Sequence, residues 1–182
     1  MWDEDNKIIF EKFINSPLVN RFEKVIIVPH EVNDYYLNYY CSVLEDNDFS
    51  FKKINQYQNF NQFEEEYIII NKVGFLSKLY AQSTIAYVGG GFSKSGIHNI
   101  IEPAAASNPV IFGSNFLNSN KSDAEGLIDF SGGFSVDSYE LFTEKINWLL
   151  DKNNYNNSSK NCKAFVTENS GSTEKILKEL YE

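Results

Sequence analysis

Arginine is nearly absent from this 182-residue chain: Arg21 is the only one, and the formal net charge is -9. A protein so poor in guanidinium groups and so acidic has no broad basic face for nucleic acid or an anionic membrane. Any phosphate it binds must be held locally, by backbone N–H groups and a few side chains. Cysteine is as scarce. Cys41 and Cys162 stand far apart with no C-x-x-C, which fits a reducing, cytoplasmic setting. Two lone histidines, His30 and His98, and two distant cysteines form no metal-ligand cluster, so no metal and no cofactor is expected. Asp46-Asn47-Asp48 matches a D-x-D metal motif, but it lies between a predicted helix and a predicted edge strand and reads as a polar turn. No stretch approaches the ~18 apolar residues of a membrane span. The opening "MWDEDNKIIF" has neither the basic nor the apolar region of a signal peptide.

What is present is a regular alternation. Short β-branched runs, "KVIIVP" (24–29), "YIIIN" (67–71), "TIAYVGG" (84–90) and "PVIFG" (109–113), end in Pro, Asn or Gly. Apolar runs of this length suit parallel strands covered on both faces. "FSFKKI" (49–54) alternates like an edge strand, and "GGFSV" (132–136) is a short last one. Helical periodicity falls at 4–15, 33–46, 74–82, 99–107, 122–130, 138–151 and 172–181. The polar "NQYQNFNQFEEE" (55–66) reads as a surface loop, because its aromatics have no basic groove beside them. The pattern predicts one α/β domain over 1–182, a Rossmann-like parallel sheet flanked by helices on both faces.

In such sheets ligands bind beyond the carboxyl ends of the strands. Those ends carry Pro29-His30, Asn71 to Gly74, Gly89 to Asn99 and Gly113 to Asn115, and both histidines fall among them. The run "YVGGGFSKSGIHNIIEPAAA" (87–106) is the most informative. Glycine after a strand lets a backbone approach a ligand, and a helix start favours an anion. The same glycines also serve a tight turn with no ligand. Two familiar phosphate loops fail by spacing. Gly91 to Gly96 is followed by Ile97-His98 where a P-loop has Lys-Ser/Thr, and Lys94 stands where the dinucleotide fingerprint needs its third glycine. Asn99 to Glu102 resembles a capping box, while Pro103 allows Glu102 to be the cap instead. Beside capping, a carboxylate here can accept hydrogen bonds from a ribose diol.

With its order of Gly-Gly-x, Gly-x-His-Asn, Glu-Pro-Ala-Ala and Pro-Val-x-x-Gly, "YVGGGFSKSGIHNIIEPAAASNPVIFG" resembles the C-terminal domain of 3-deoxy-D-manno-octulosonic acid (Kdo) transferases. Trp2 to Asp5, Pro29-His30 and "INKVGFLSKLYAQSTIAYVGG" resemble further segments of that family in colinear order, over nearly the whole chain. The resemblance implies a GT-B glycosyltransferase of Gram-negative lipopolysaccharide synthesis. Its C-terminal half binds CMP-Kdo, and an N-terminal half, absent from this chain, binds the lipid A precursor and supplies the general base. Carried over by position, Gly89, Gly90, Gly91, Phe92 and Ser93 would lie against the donor phosphate. His98 and Asn99 would shape the pocket and Glu102 would take the ribose hydroxyls. Lys72, Val73 and Gly74 would offer backbone groups to cytosine, and Pro29 and His30 would approach the phosphate. No catalytic residue is expected in this half, nor membrane contact by it, although the whole enzyme is expected at the cytoplasmic face of the inner membrane.

Four positions depart from the family pattern. Gly91 replaces a usual Ser, Asn71 stands where Asp is common, Ser114 replaces a proline, and the arginine of a Pro-Arg-His segment is missing. The alternatives are half of another GT-B enzyme, one using a UDP-sugar as transferase or 2-epimerase, and a non-catalytic nucleotide-binding module.

Overall fold

The computed structural model describes residues 2–117 and 120–171. Among the described residues six strands form where the sequence predicts them: β1 (Val25–Ile27), β2 (Phe51–Ile54), β3 (Tyr67–Ile70), β4 (Ala86–Val88), β5 (Val110–Gly113) and β6 (Gly133–Val136). All pairings are parallel. They make two three-stranded sheets, β1-β3-β2 and β4-β5-β6, where the sequence predicts a single sheet. The difference lies at β1 and β4, which do not pair with each other. Each sheet has its most apolar strand in the centre. Every residue of β3 and of β5 is buried, because a central parallel strand is covered on both faces. β2 alternates with Lys52 and Lys53 and takes the edge, as its pattern predicts.

The helices are α1 (Asp3–Asp5) and α2 (Glu11–Ile14), joined by a π-helical turn over Asn6–Phe10, then α3 (Asp34–Glu45), α4 (Leu76–Tyr80), α5 (Ile101–Ala105), α6 (Lys121–Asp129), α7 (Tyr139–Leu149) and α8 (Lys152–Asn169). Their starts are chemically marked. The side chains of Asn33, Ser138 and Asp151 accept backbone N–H groups at α3, α7 and α8. Leu37, Tyr40, Cys41 and Leu44, spaced as one helical face, bury α3 against Ile27, Tyr67 and Ile69 of the first sheet. Ile9, Phe142, Ile146 and Leu149 pack together on the β5–β6 side.

Two further features differ from the sequence reading. Helix α8 was not expected, because "KNNYNNSSKN" is rich in asparagine, a weak helix former. It forms because Ser158, Cys162 and Phe165 share one buried face against the second sheet's helices. The 55–66 segment does run as a loop with one 3-10 turn, yet Phe60 and Phe63 anchor it in a core with Ile54, Ile68 and Leu79. The helix expected at 172–181 lies outside the described residues.

Candidate functional site at the carboxyl ends of β1, β3 and β4

The residues predicted to bind a ligand follow the carboxyl ends of strands: Pro29 and His30 after β1, Lys72 to Gly74 after β3, Gly89 to Glu102 after β4. A cavity of about 800 Å³ runs along β1 and β4, and Pro29, His30, Gly89, His98, Asn99 and Glu102 form its mouth at this end. Lys72, Val73 and Gly74 are exposed and do not line it. Gly90, Gly91, Phe92 and Ser93 lie outside its lining too, and Phe92 packs into the apolar cluster of Ile9 and Phe142.

The glycine run is first of all a packing solution. Gly90 has φ +102°, and a Cβ there would collide with the Gly96 carbonyl oxygen. A Cβ on Gly91 would stand 2.5 Å from the Gly113 Cα, so the serine common in the resembled family does not fit without a backbone shift. Side chains brace the same loop. Ser93 donates its hydroxyl to the Gly90 carbonyl (2.9 Å) and accepts from the Ser95 N–H, which commits it within the loop. The Asn115 N–H donates to the Gly91 carbonyl, and the Asn120 amide donates to the carbonyls of Ile97 and His98.

Asn99 caps α5 from one residue before the helix's own N-cap, Ile100. Its Oδ1 accepts from the N–H groups of Ile101 (2.9 Å) and Glu102 (3.4 Å), and its Nδ2 donates to Glu102 Oε1 at 3.2 Å. This is a variant of the capping box, since Glu102 is met by the Asn99 side chain and not by its backbone N–H. Glu102 itself does not cap. Its carboxylate is exposed at the mouth with acceptor capacity to spare.

Two residues reach this site from the start of the chain, and sequence reasoning gave neither a role. The Asp5 carboxylate, fully buried, accepts from the Tyr87 hydroxyl (2.5 Å), the Gly90 N–H (2.9 Å) and the Trp2 N–H (3.3 Å). Burial and the adjacent Asp5 push the Tyr87 hydroxyl well above its ordinary pKa, so it stays a donor. Trp2 stacks on His30 with ring centres 3.9 Å apart, and its indole N–H donates to His98 Nε2 at 2.8 Å. The two imidazoles are 4.8 Å apart. Burial lowers the pKa of both, and for His98 the neighbouring His30 adds to the effect. The accepted indole hydrogen bond fixes a neutral His98 tautomer with the proton on Nδ1. Nothing local in the sequence signals these partners. Asp5 and Gly90 are 85 positions apart, and only the fold joins them.

Chemically the mouth offers an exposed carboxylate, an amide, two imidazoles and the backbone of a braced glycine turn. Among the described residues no group of three or more His, Cys, Asp or Glu side chains is placed to hold a metal ion. No helix among them is long and apolar enough to cross a membrane. Both cysteines are free and buried, and burial pushes the Cys162 thiol up to about 12.

Parallel strands with helices on both faces and polar loops gathered at the strand ends define the class: a Rossmann-like α/β domain. No family model matches the chain. In fold it is similar to the C-terminal CMP-Kdo binding domain of WaaA from Acinetobacter baumannii, with a TM-score of 0.72 over 92% of this chain and 84% of that one, at 17% identity. In sequence it is similar to the 3-deoxy-D-manno-octulosonic acid transferases. It is 30% identical to that of Rickettsia bellii over 118 residues, 63% of this chain and 27% of the relative. It is 29% identical to that of Chlamydia trachomatis serovar D over 163 residues, 87% of this chain and 37% of the relative. A bifunctional glycosyltransferase/methyltransferase of Fusobacterium nucleatum is 30% identical over 146 residues, 80% of this chain and 22% of the relative. The chain thus spans well under half the length of these relatives.

Proposed function

We propose that the chain is the donor-binding domain of a glycosyltransferase that transfers Kdo from CMP-Kdo to a lipid A precursor. The observation that carries this reading is the placement of Glu102. An exposed carboxylate, steadied by Asn99, shares one cavity mouth with His30 and His98 in a domain similar to a CMP-Kdo binding one. In this reading Glu102 accepts the ribose 2′- and 3′-hydroxyls. His98 and Asn99 line the pocket, and Pro29 and His30 approach the phosphate from the end of β1. Gly89 to Ser93 supply a rigid backbone rim for the phosphate, with Ser93 acting through the loop's shape since its hydroxyl is engaged within it. Lys72, Val73 and Gly74, exposed after the carboxyl end of β3, offer backbone groups to cytosine.

Acceptor binding and the general base belong, in this proposal, to an N-terminal domain outside this chain, and the whole enzyme works at the cytoplasmic face of the inner membrane. The chain alone is then expected to bind a cytidine nucleotide without transferring sugar. Titration with CMP, UMP and UDP, followed by calorimetry or thermal shift, tests it. CMP should bind best. Glu102→Gln should weaken CMP about tenfold or more, the loss of a hydrogen bond to a charged group, with little change in the melting temperature of the free protein. Preference for a uridine nucleotide would overturn the donor assignment in favour of a UDP-sugar enzyme.

A further inference from the structure

His98 is pinned on three sides, and the restraints leave one atom free. Its backbone N–H donates to the Gly89 carbonyl (3.2 Å), and its own carbonyl accepts from the Asn120 amide (3.2 Å). Its ring is held by Trp2, whose indole N–H meets Nε2 at 2.8 Å. The two ring planes lie within 4° of each other with centres 5.8 Å apart, so the bond runs edge to edge in a shared plane, along the Nε2 lone pair. Trp2 is held in turn. His30 stacks on its face with ring centres 3.9 Å apart, and its backbone N–H donates to the buried Asp5 carboxylate at 3.3 Å. That leaves His98 Nδ1. It has no hydrogen-bond partner among the described residues, on a side chain exposed at the mouth beside Gly89 and Asn99. The shape of an imidazole turns it away from the nitrogen that faces Trp2.

We propose that Trp2 is a positioning residue of this site: by occupying Nε2 it keeps His98 in the Nδ1–H tautomer and so presents a neutral N–H donor to a phosphate oxygen of the bound nucleotide. An unrestrained imidazole favours the proton on Nε2, and the hydrogen bond made at one nitrogen decides what the other can do. Here the choice falls to an indole, which can only donate. The chain's one arginine, Arg21, precedes β1 and so lies at the other end of that strand, which leaves the mouth without the guanidinium fork that often holds phosphate. A donor fixed in place before the ligand arrives costs less to order than one chosen on binding. The role given to phosphate rests on the donor reading above, whereas the tautomer does not.

Proton–nitrogen NMR correlation of the imidazole rings at neutral pH reads the tautomer directly, with His30→Gln assigning the two histidines. In the unmodified chain His98 should carry its proton on Nδ1 and be bare at Nε2. Trp2→Phe keeps a ring for His30 to stack on but has no N–H. It should move His98 toward the Nε2–H form and weaken CMP about tenfold, the size of one hydrogen bond to a charged group. His98→Asn sets an amide N–H near the place of Nδ1–H and has no tautomer to choose. In that background Trp2→Phe should change CMP affinity by less than about twofold. Equal losses in the two backgrounds would mean that Trp2 acts by packing alone, and would overturn the proposal. An Nε2–H tautomer in the unmodified chain overturns it too, and that measurement needs no variant to fold. So does a tautomer that Trp2→Phe leaves in place. Preference for UMP or UDP removes only the donor reading, and the same cycle run with that nucleotide then decides the part played by Trp2. Should no nucleotide bind, inorganic phosphate should still shift the Nδ1–H resonance selectively. No shift with any of these anions overturns the proposal as well.

Discussion

The loop after β4 and the loop after β3 both end an apolar parallel strand with glycine at a positive φ, and they are built in opposite ways. After β4, Gly90 and Gly91 are wedged against Gly96 and Gly113, and Ser93, Asn115, Asn120 and Asp5 spend hydrogen bonds on the turn. After β3, Lys72, Val73 and Gly74 are exposed, and nothing lies within 4 Å of where a Gly74 Cβ would be. The same residue type thus answers two demands: close backbone packing in one loop, conformational freedom alone in the other. The braced loop is a platform whose shape is set before any ligand arrives, whereas the bare loop presents backbone to whatever comes near.

The sharpest way to break this contrast is a methyl group. Gly90→Ala combines an unfavourable backbone angle with a collision against main chain that cannot swing aside, and should cost about 3–5 kcal/mol in chemical denaturation. Gly74→Ala adds the same methyl at a similar φ in open space, and should cost only about 1 kcal/mol from backbone strain. Equal losses at the two sites would erase the distinction between wedged and free glycine.

A smaller but more specific effect is expected from Asp5→Ala. It leaves the Tyr87 hydroxyl and the Gly90 N–H without their acceptor in a buried place, a loss of about 2–4 kcal/mol. Tyr87→Phe in the same background should then cost little more, because the pair is already broken. Additive losses would show that Tyr87 and Asp5 act separately and that Asp5 does not brace the β4 loop through this contact.

Four of the strands, β1, β3, β4 and β5, were legible because each is a local apolar run bounded by Pro, Asn or Gly, and burial leaves little room for polar residues. The lysines of β2 marked an edge for the same reason. Helix α8 was not legible: its apolar signal is three residues, Ser158, Cys162 and Phe165, in an asparagine-rich stretch, and its stability comes from packing against elements far away in sequence. The split between β1 and β4 is likewise invisible to pattern, since strand neighbours are set by topology. At the site, the placement of His30 and His98 at strand ends followed from the strands themselves. Trp2, Asp5 and Tyr87 did not, because each acts through a partner more than 80 positions distant. Gly91 shows a subtler limit. Its departure from the resembled family reads in sequence as a lost hydroxyl, whereas in the structure it is the residue that lets two backbones cross.

The smallest expected effect concerns pH, and it asks whether the bracing extends from the β4 loop to the Trp2–His30–His98 cluster. Burial lowers both histidine pKa values below 6.5 in the folded chain, with Glu31 opposing the shift at His30 and Asp5 opposing it at His98. The unfolded chain, with ordinary histidines, then binds protons more readily than the folded one. Their contribution to stability is complete above pH 6.5 and is lost as pH falls through the lowered folded values. The melting temperature should therefore fall on going from pH 7.5 toward 5. His98→Gln and His30→Gln should each flatten part of that fall, whereas a residue of the bare loop, tested as Lys72→Gln, should leave its slope unchanged. Carboxylates titrate in all of these proteins and cancel in the differences. A rise in melting temperature on acidification, abolished by His98→Gln, would mean that the folded chain prefers a charged imidazole. The indole N–H of Trp2, which needs an unprotonated Nε2 to donate to, could not then be its partner.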